Sequence, residues 1–417
     1  MTSRALTAAL VTGMLVTGVA NTLLTKYQDM QCVRNCDAAN PEDRHVFEQP
    51  VLQTLQMFVG EMGCWVIVGI LSLRNLWRNR NRERDGYQPV GPSDDETDSD
   101  GNPILKALVP REDGRILISG WKVFLLAIPA ICDIAGTTLM NVGLLFVAAS
   151  IYQMTRGALV LFVGLFSVIF LKRVLHPFQW FALFVVVIGV GVVGMAGAMF
   201  KDPAPDDHIK AQGKEMMGLS PALSTIIGVC LIAFAQVFTA TQFVVEEWIL
   251  EQYALEPLKV VGWEGVFGFL VTLIGMVILH FTVGVTPEGQ NGYFDAVEGF
   301  SEMFYNPKVL YSSFAIMVSI GGFNFFGISV TRSISATARS IIDTCRTLFI
   351  WLVSLALHWE SFKWLQIVGF GLLVYGTFLF NELVQPPLRC CLGRKAQEDD
   401  DEARRELLPE VPVQRNS

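Results

Sequence analysis

Three ionisable residues stand inside an apolar stretch long enough to cross a bilayer. From Ile334 to Trp359 the chain reads ISATARSIIDTCRTLFIWLVSLALHW and carries Arg339, Asp343 and Arg346. About 20 such residues span the hydrocarbon core. The three charges lie four and then three positions apart, so they share one face of a helix. A charge at mid-bilayer costs roughly 2.5 to 3.5 kcal/mol on an insertion scale, so this face must look into a protein interior or a wet cavity. Pairing of Asp343 with Arg339 or Arg346 offsets part of the burial cost and leaves one positive charge over. That surplus invites an anionic ligand or a further acidic residue.

An earlier stretch, Ser150 to Arg173, reads SIYQMTRGALVLFVGLFSVIFLKR and echoes the first. Sliding the chain on itself by 187 positions sets Ala149 on Ala336, Ser167 on Ser354, Gln179 on Gln366 and Gly189 on Gly376. In this register Arg156 falls on Asp343, so opposite charges hold equivalent places in two halves. Gln153 and Arg156 share a face of their segment. Other polar groups inside apolar segments are Glu61 in MFVGEMG, Asp133 after Pro129, Asn141 two turns on, and Asn324 in GGFNFFG. Intramembrane polar groups of this kind line substrate or ion paths, or bond one helix to another. Glu264, in GWEGVFGF of the span equivalent to that of Glu61, has two readings of equal weight: a carboxylate near a helix start, which favours the dipole and needs no function, or a functional polar group within the membrane.

These residues must be positioned by a helical membrane protein. The chain has 417 residues, 52% hydrophobic and 17% charged, which is the composition of a multi-span protein rather than a soluble domain. Ten apolar spans are expected: Ala5 to Thr25, Val51 to Leu73, Val123 to Phe146, Ser150 to Leu171 and Pro177 to Phe200, then Pro221 to Val245, Val260 to Val283, Val309 to Val330, Ile334 to His358 and Phe362 to Val384. Five is odd, so the second set crosses upside down relative to the first, as in transporters built from inverted repeats. The expected organisation is a first five-helix repeat over 1–200, an inter-repeat loop at 201–220, a second repeat over 221–384 and a disordered tail at 385–417. The basic run from Arg74 to Arg84 directly after a span marks the cytosolic side. A disordered acidic linker at about 80–114 follows it, and both termini are expected in the cytosol.

Several other chemistries fall away. Gly189-Val-Gly191-Val-Val-Gly194 matches a dinucleotide fingerprint but lies within an apolar span with no strand before it, where small residues let helices approach. The five histidines lack metal-ligand spacing, and no cofactor is implied. Asp133 and Asp343 lack the sequence contexts of an intramembrane aspartyl protease. The net charge of −8 comes largely from loops and tail and does not argue for nucleic acid. Cys32 and Cys36, in a non-cytosolic loop, could form a disulfide or stay unpaired on a helical turn. Cys390 and Cys391 are palmitoylation candidates. Glu402-Ala-Arg-Arg-Glu-Leu407-Leu408 resembles an acidic dileucine sorting signal and points to a lysosome- or vacuole-type membrane.

The runs GTTLMNVGLLFVAASIYQMTRGALVLFVGLFSVIFLKR and GISVTRSISATARSIIDTCRTLFIWLVSLALHW, with MFVGE and EGVFGF, resemble the drug/metabolite transporter superfamily. The likeness is greatest to subfamily F of solute carrier family 35, in its nucleotide-sugar-transporter-like branch, and more distant to the chloroquine-resistance transporter group. It covers about residues 5 to 384. The resemblance implies an all-α membrane protein of ten transmembrane helices in two inverted five-helix repeats. It implies a central cavity, alternating access without ATP, and peripheral fifth and tenth helices able to support a homodimer. On this chain the cavity positions are Glu61, Asp133, Asn141, Gln153, Arg156, Asn324, Arg339, Asp343 and Arg346. The short asparagine-rich and Gly-Ala-Leu-Asn-Lys-like motifs of nucleotide-sugar carriers are not found. The expected function is secondary-active transport of a small polar or anionic organic solute across a lysosomal, vacuolar or Golgi membrane. Arg156 and Arg346 would hold negative groups, and Asp343, Glu61 or Asp133 would couple protons. The alternative is a non-transporting receptor or scaffold working through its cytosolic linker and tail.

Overall fold

The computed structural model describes residues 3–36, 45–47, 49–84, 120–144, 146–147, 149–172, 176–199, 221–286, 289, 292, 294–357 and 364–380. The expected linker beyond 84, the loop at 201–220, the tail with Cys390 and Cys391, and the dileucine-like stretch lie outside them. Helices dominate. They are α1 (Ser3–Asp29), α2 (Pro50–Met62), α3 (Cys64–Arg84), α4 (Ala127–Leu144, after a 3-10 turn over Gly120–Leu126), α5 (Ala149–Thr155) and α6 (Leu159–Leu171). There follow α7 (Pro177–Met199), α8 (Pro221–Gln252), α9 (Pro257–Leu279), α10 (Ala296–Tyr305), α11 (Pro307–Ser333), α12 (Ala336–Ala356) and α13 (Trp364–Phe380). Among the described residues, six stretches are long and apolar enough to cross a membrane: Ala5–Asp29, Pro50–Trp77, Gly120–Gly143, Thr225–Gln252, Pro257–Gly284 and Pro307–Ser333. Shorter apolar helices cover Arg156–Leu171, Pro177–Val193 and Ile367–Phe380. Helix α12, of 21 residues, has the length to cross but carries its three charges within it.

Local sequence sets the helix ends. Helices α2, α7, α8, α9 and α11 start on proline, whose fixed φ suits the first turn and whose missing N–H would be unpaired there anyway. Ser335 caps α12 with its hydroxyl accepting from the Ala338 N–H at 3.1 Å. Asp295 and Asn306 cap α10 and α11 in the same way. Two segments break within apolar runs. Gly63 separates α2 from α3, and a 3-10 turn over Arg156–Ala158 separates α5 from α6.

Packing proceeds by helix pairs. Helix α1 lies along α11, α4 along α8, α2 along α9 and α7 along α13. Further contacts join α2 to α11, α4 to α9, α6 to α8, α1 to α12 and α6 to α12. The α7–α13 seam is built on glycine. A side-chain carbon at Gly189 would meet the Leu373 N and Gly369 O at 2.9 and 3.0 Å, and one at Gly376 would meet the Val186 N and Ala182 O at 3.1 and 3.0 Å. Positions 189 and 376, 186 and 373, and 182 and 369 all differ by 187, so each side of the seam repeats the other.

Three features depart from the sequence expectation. Helix α3 runs through the basic segment to Arg84, so the chain stays helical where the linker was expected to begin. Helix α8 continues to Gln252, seven residues past the expected span end at Val245. The segment between α1 and α2 is not wholly irregular: strand β1 (Cys32–Arg34) pairs antiparallel with β2 (His45–Val46). A disulfide joins Cys32 to Cys36, with Cα atoms 5.7 Å apart.

Candidate functional site

Helix α12 places its charges in the protein interior. Arg339, Asp343 and Arg346 are only 1%, 4% and 3% exposed, so none meets the surrounding apolar phase. Arg346 Nη2 lies 2.7 Å from Asp343 Oδ1 within the helix. Arg156, carried by the 3-10 turn between α5 and α6, brings its Nη2 to 3.8 Å from the other Asp343 oxygen. The two residues related by the 187-position register therefore face each other. Aromatic rings cover the guanidinium groups: Arg346 sits 4.6 Å from the Phe323 ring centroid, and Arg339 sits 3.9 Å from that of Phe243. Such contacts stabilise a desolvated cation by about 2 kcal/mol.

Of the two expected pairings of Asp343, the one with Arg346 forms, and Arg339 is the surplus cation. Its partner is Glu246 of α8. Glu246 is fully buried and supplies the further acidic residue that the surplus charge demanded. Hydropathy missed it because the acidic pair Glu246-Glu247 looked like the end of a span. The available signal was helical spacing, since Phe243 and Glu246 lie on one face and Arg339 packs against both.

A second group of carboxylates gathers beside this pair. Glu61, at the end of α2, accepts from Asn324 Nδ2 of α11 at 2.5 Å, which unites two of the expected residues. Glu264 is the eighth residue of α9 and 6% exposed, so of its two readings the helix-start carboxylate is excluded. Its neighbour Gly265 leaves room for the Glu61 side chain, which a Cβ there would meet at 2.8 Å. Glu264 lies within electrostatic reach of Glu246, Glu61, Arg339 and Asp133. Asp133 on α4 is half-buried and lies within reach of Glu246, Arg339 and Arg156. Asn141 is half-buried two turns further along α4. Gln153 belongs to α5, but its side chain is outside the described residues.

The interior thus has two poles along α12. The acidic pole holds Glu61, Asp133, Glu246 and Glu264 around one cation, Arg339. The basic pole holds Arg156 and Arg346 around one anion, Asp343. Several buried atoms at both poles have no hydrogen-bond partner: Glu246 Oε1, Glu264 Oε1, Arg339 Nε, Arg156 Nε and Arg346 Nε. A polar group buried in this way costs about 1 to 3 kcal/mol, more for a charged group, and a polar ligand would supply what is missing.

One end of the bundle is closed by polar contacts. Arg34, on β1, bonds Glu302 of α10 at 3.0 Å and approaches Glu298 at 3.5 Å. Asn306 Nδ2 donates to the Cys32 carbonyl at 3.2 Å. Beneath them Phe47 packs fully buried with Leu52, Leu55, Met276, Met303 and Val309.

This architecture matches known proteins. A family model described as "Nucleotide-sugar transporter" matches residues 106–244. An uncharacterized protein of Schizosaccharomyces pombe is 37% identical, over 90% of this chain and 97% of its own length. Solute carrier family 35 member F6 of Homo sapiens is 35% identical, over 94% of this chain and 93% of its own. A UDP-galactose/UDP-N-acetylglucosamine transporter of Caenorhabditis elegans is 28% identical over 30% of this chain and 31% of its own. A solved structure with 12% identity covers 91% of this chain and 98% of its own with a TM-score of 0.51, a likeness of fold alone. Membrane-crossing helices around buried charges, together with these relatives, define an integral-membrane transporter. The chain belongs to solute carrier family 35, subfamily F.

Proposed function

We propose that the chain is a secondary-active carrier of a small polar or anionic organic solute, built as two inverted five-helix repeats that rock about a central site. The observation that carries this reading is the symmetry of the helix pairing. Let α1, α2–α3, α4, α5–α6 and α7 exchange in order with α8, α9, α11, α12 and α13. The α1–α11 contact then becomes α8–α4, α2–α11 becomes α9–α4, and α6–α8 becomes α12–α1. The α2–α9, α6–α12 and α7–α13 contacts map onto themselves. All of these contacts are present. Helices α5 and α12 also begin at Ala149 and Ala336, 187 positions apart.

A pseudo-two-fold of this kind supports alternating access, because one packing of the halves and the packing in which the halves exchange roles by rotation about an axis in the membrane plane have similar energies. Arg156 and Arg346 would hold anionic groups of the solute, and the acidic pole would exchange protons. The basic run of α3 favours a cytosolic position for its end of the bundle, which makes the Arg34–Glu302 latch the lumenal closure of an endomembrane carrier. A nucleotide-sugar cargo is the reading favoured by the family model over 106–244, and it enters the tests below as UDP-galactose.

Uptake into proteoliposomes tests the carrier reading. Arg346→Leu and Asp343→Asn should each lower flux at least tenfold while the proteins remain folded, and wild-type rates in both would end the assignment. Deleting residues 86–114 separates carrier from scaffold, since a carrier keeps its flux and a scaffold loses its partner.

A further inference from the structure

Helix α10 has two faces of different kind. The inward face packs on the bundle: Gly299 lies against Gln49, Met303 joins Phe47 and Val309 in a buried cluster, and Glu302 meets Arg34. The outward face carries Val297, Phe304 and Tyr305, which are 68%, 62% and 86% exposed. With uncharged Ser301 they stand at i, i+4, i+7 and i+8, a single stripe along the helix. The only charges of α10 are Glu298 and Glu302, and both turn to Arg34. Ten residues make a helix about 15 Å long, half of a hydrocarbon core, so α10 does not cross the membrane.

Its moorings fix where the stripe looks. Asp295, the N-cap of α10, lies 3.6 Å from His280 Nδ1 in the turn that ends α9. At the other end Asn306 alone separates α10 from α11. The two spans joined in this way expose apolar stripes of their own. Ile274, Ile278, Phe281 and Val285 run down α9 into its last turn, and Tyr311, Phe314 and Val318 run along α11. On a membrane-crossing bundle such stripes face lipid, and these two reach the ends that α10 connects. Val297, Phe304 and Tyr305 therefore continue a lipid-facing surface. Tyr305 and Tyr311 also suit the tyrosine-rich belt where a membrane meets water.

We propose that α10 is an interfacial helix whose partner is the bilayer, with Val297, Phe304 and Tyr305 seated in the boundary between headgroups and acyl chains. Helices of this type bury their apolar face about 5 to 10 Å into that boundary. The seated helix then presents Glu298 and Glu302 to Arg34 from a fixed support. In a cell the cytoplasmic leaflet is the anionic one, so a helix charged only by two glutamates suits the opposite leaflet. The contact requires the membrane-crossing bundle and is independent of what the bundle carries.

The test is photo-crosslinking of the full chain in phosphatidylcholine nanodiscs. p-Benzoylphenylalanine replaces one residue at a time, and adducts are read from the mass of the intact protein. Val297 and Phe304 are the test positions. Tyr311, on the exposed stripe of α11, is the reference for lipid, and exposed Asn35, after β1, is the reference for water. Lipid adducts at 297 and 304 should reach at least half the yield at 311 and exceed the yield at 35 at least tenfold. A yield as low as that at 35 overturns the proposal. Crosslinked dimers in place of lipid adducts overturn it equally, because the occupant would then be a second copy of the chain. Amide hydrogen exchange over 296–305 separates seating in lipid from packing within the protein. Phe304→Asp should speed exchange there at least tenfold. Phe304→Leu loses the stacking of Phe304 on Phe300 but stays apolar, so exchange should remain slow. Equal rates in the two variants would overturn the lipid seat.

Discussion

The α7–α13 seam and the α6–α12 contact obey the same 187-position register and use it in opposite ways. At the seam equivalent positions behave alike: Gly189 meets the Leu373 N and Gly369 O, and its equivalent Gly376 meets the Val186 N and Ala182 O, at nearly equal distances. At α6–α12 equivalent residues are opposite, because Arg156 meets Asp343 where strict repetition would set like against like. A two-fold axis through identical charges would leave two buried like charges in contact, which the low-dielectric interior penalises. Conversion of one member to its counter-charge turns that repulsion into a pair. The seam is symmetric and close-packed, and the Arg156–Asp343 contact is asymmetric in charge. On the proposed inverted repeat, that asymmetry falls at the candidate site.

The largest effect should come from the most buried pair in the divergent region. Glu246→Ala removes the carboxylate ion-paired with Arg339 and should destabilise the protein by about 3 to 5 kcal/mol. Exchanging both for leucine should recover only part of that loss, because it removes the orphaned guanidinium but also takes their neighbouring cation from Glu61, Asp133 and Glu264. Denaturation of the two variants and the wild-type protein in detergent checks this. Equal stability of single and double variants would mean that Glu246 and Arg339 do not depend on one another.

The symmetric region gives the next effect. Gly189→Val and Gly376→Val each press carbon atoms onto the facing backbone, so each should cost about 1 to 3 kcal/mol. The costs should be alike, since each position meets one backbone N and one backbone O at nearly equal distances. A cost at one position and none at the other would break the repeat at its best-preserved point.

How much of this the sequence disclosed follows from the same contrast. Spans were legible because about 20 apolar residues have few other uses. The register was legible because the seam keeps small residues at fixed spacing. Burial of α12's charged face followed from the cost of exposing it to lipid. Its partners did not follow, because partners are set by tertiary approach. Glu246 was lost when a fall in hydropathy was read as a helix end, although α8 continues through it. Pro257 starts α9 seven residues before Glu264 and is the local sign that sets Glu264 beyond the first turn. The pairing of β1 with β2 and helix α10 went unforeseen because both are short. Asp295, capping α10 with Glu298 three residues on, was the one local sign available.

A smaller effect sharpens the charge asymmetry. The Arg156–Asp343 pair is longer than Arg346–Asp343, and Arg156 is partly exposed. A double-mutant cycle with Arg156→Gln and Asp343→Asn should give a coupling of about 1 kcal/mol, towards the lower end for residues in contact. A coupling of zero would separate the two residues energetically and remove the axis from the site.

The smallest effect lies outside the bilayer, where a polar latch contrasts with the interior pairs. Burial raises the Glu302 carboxyl above its ordinary range, and Arg34 beside it opposes that rise. Folded Glu302 therefore binds its proton more tightly than the unfolded chain does. Its contribution to stability is fully present below the unfolded value and is lost as pH rises through the raised folded one. Arg34 is about a third exposed, so solvent screens the pair and the effect on the latch should stay below about 1 kcal/mol. Amide hydrogen exchange over 30–36 and 296–305, corrected for intrinsic rates, should show protection falling as pH rises from the ordinary carboxylate range towards neutrality. Glu302→Gln should flatten that dependence and leave the interior helices unchanged. Protection that rises with pH would reverse the sign and make Arg34, rather than burial, the dominant influence on Glu302.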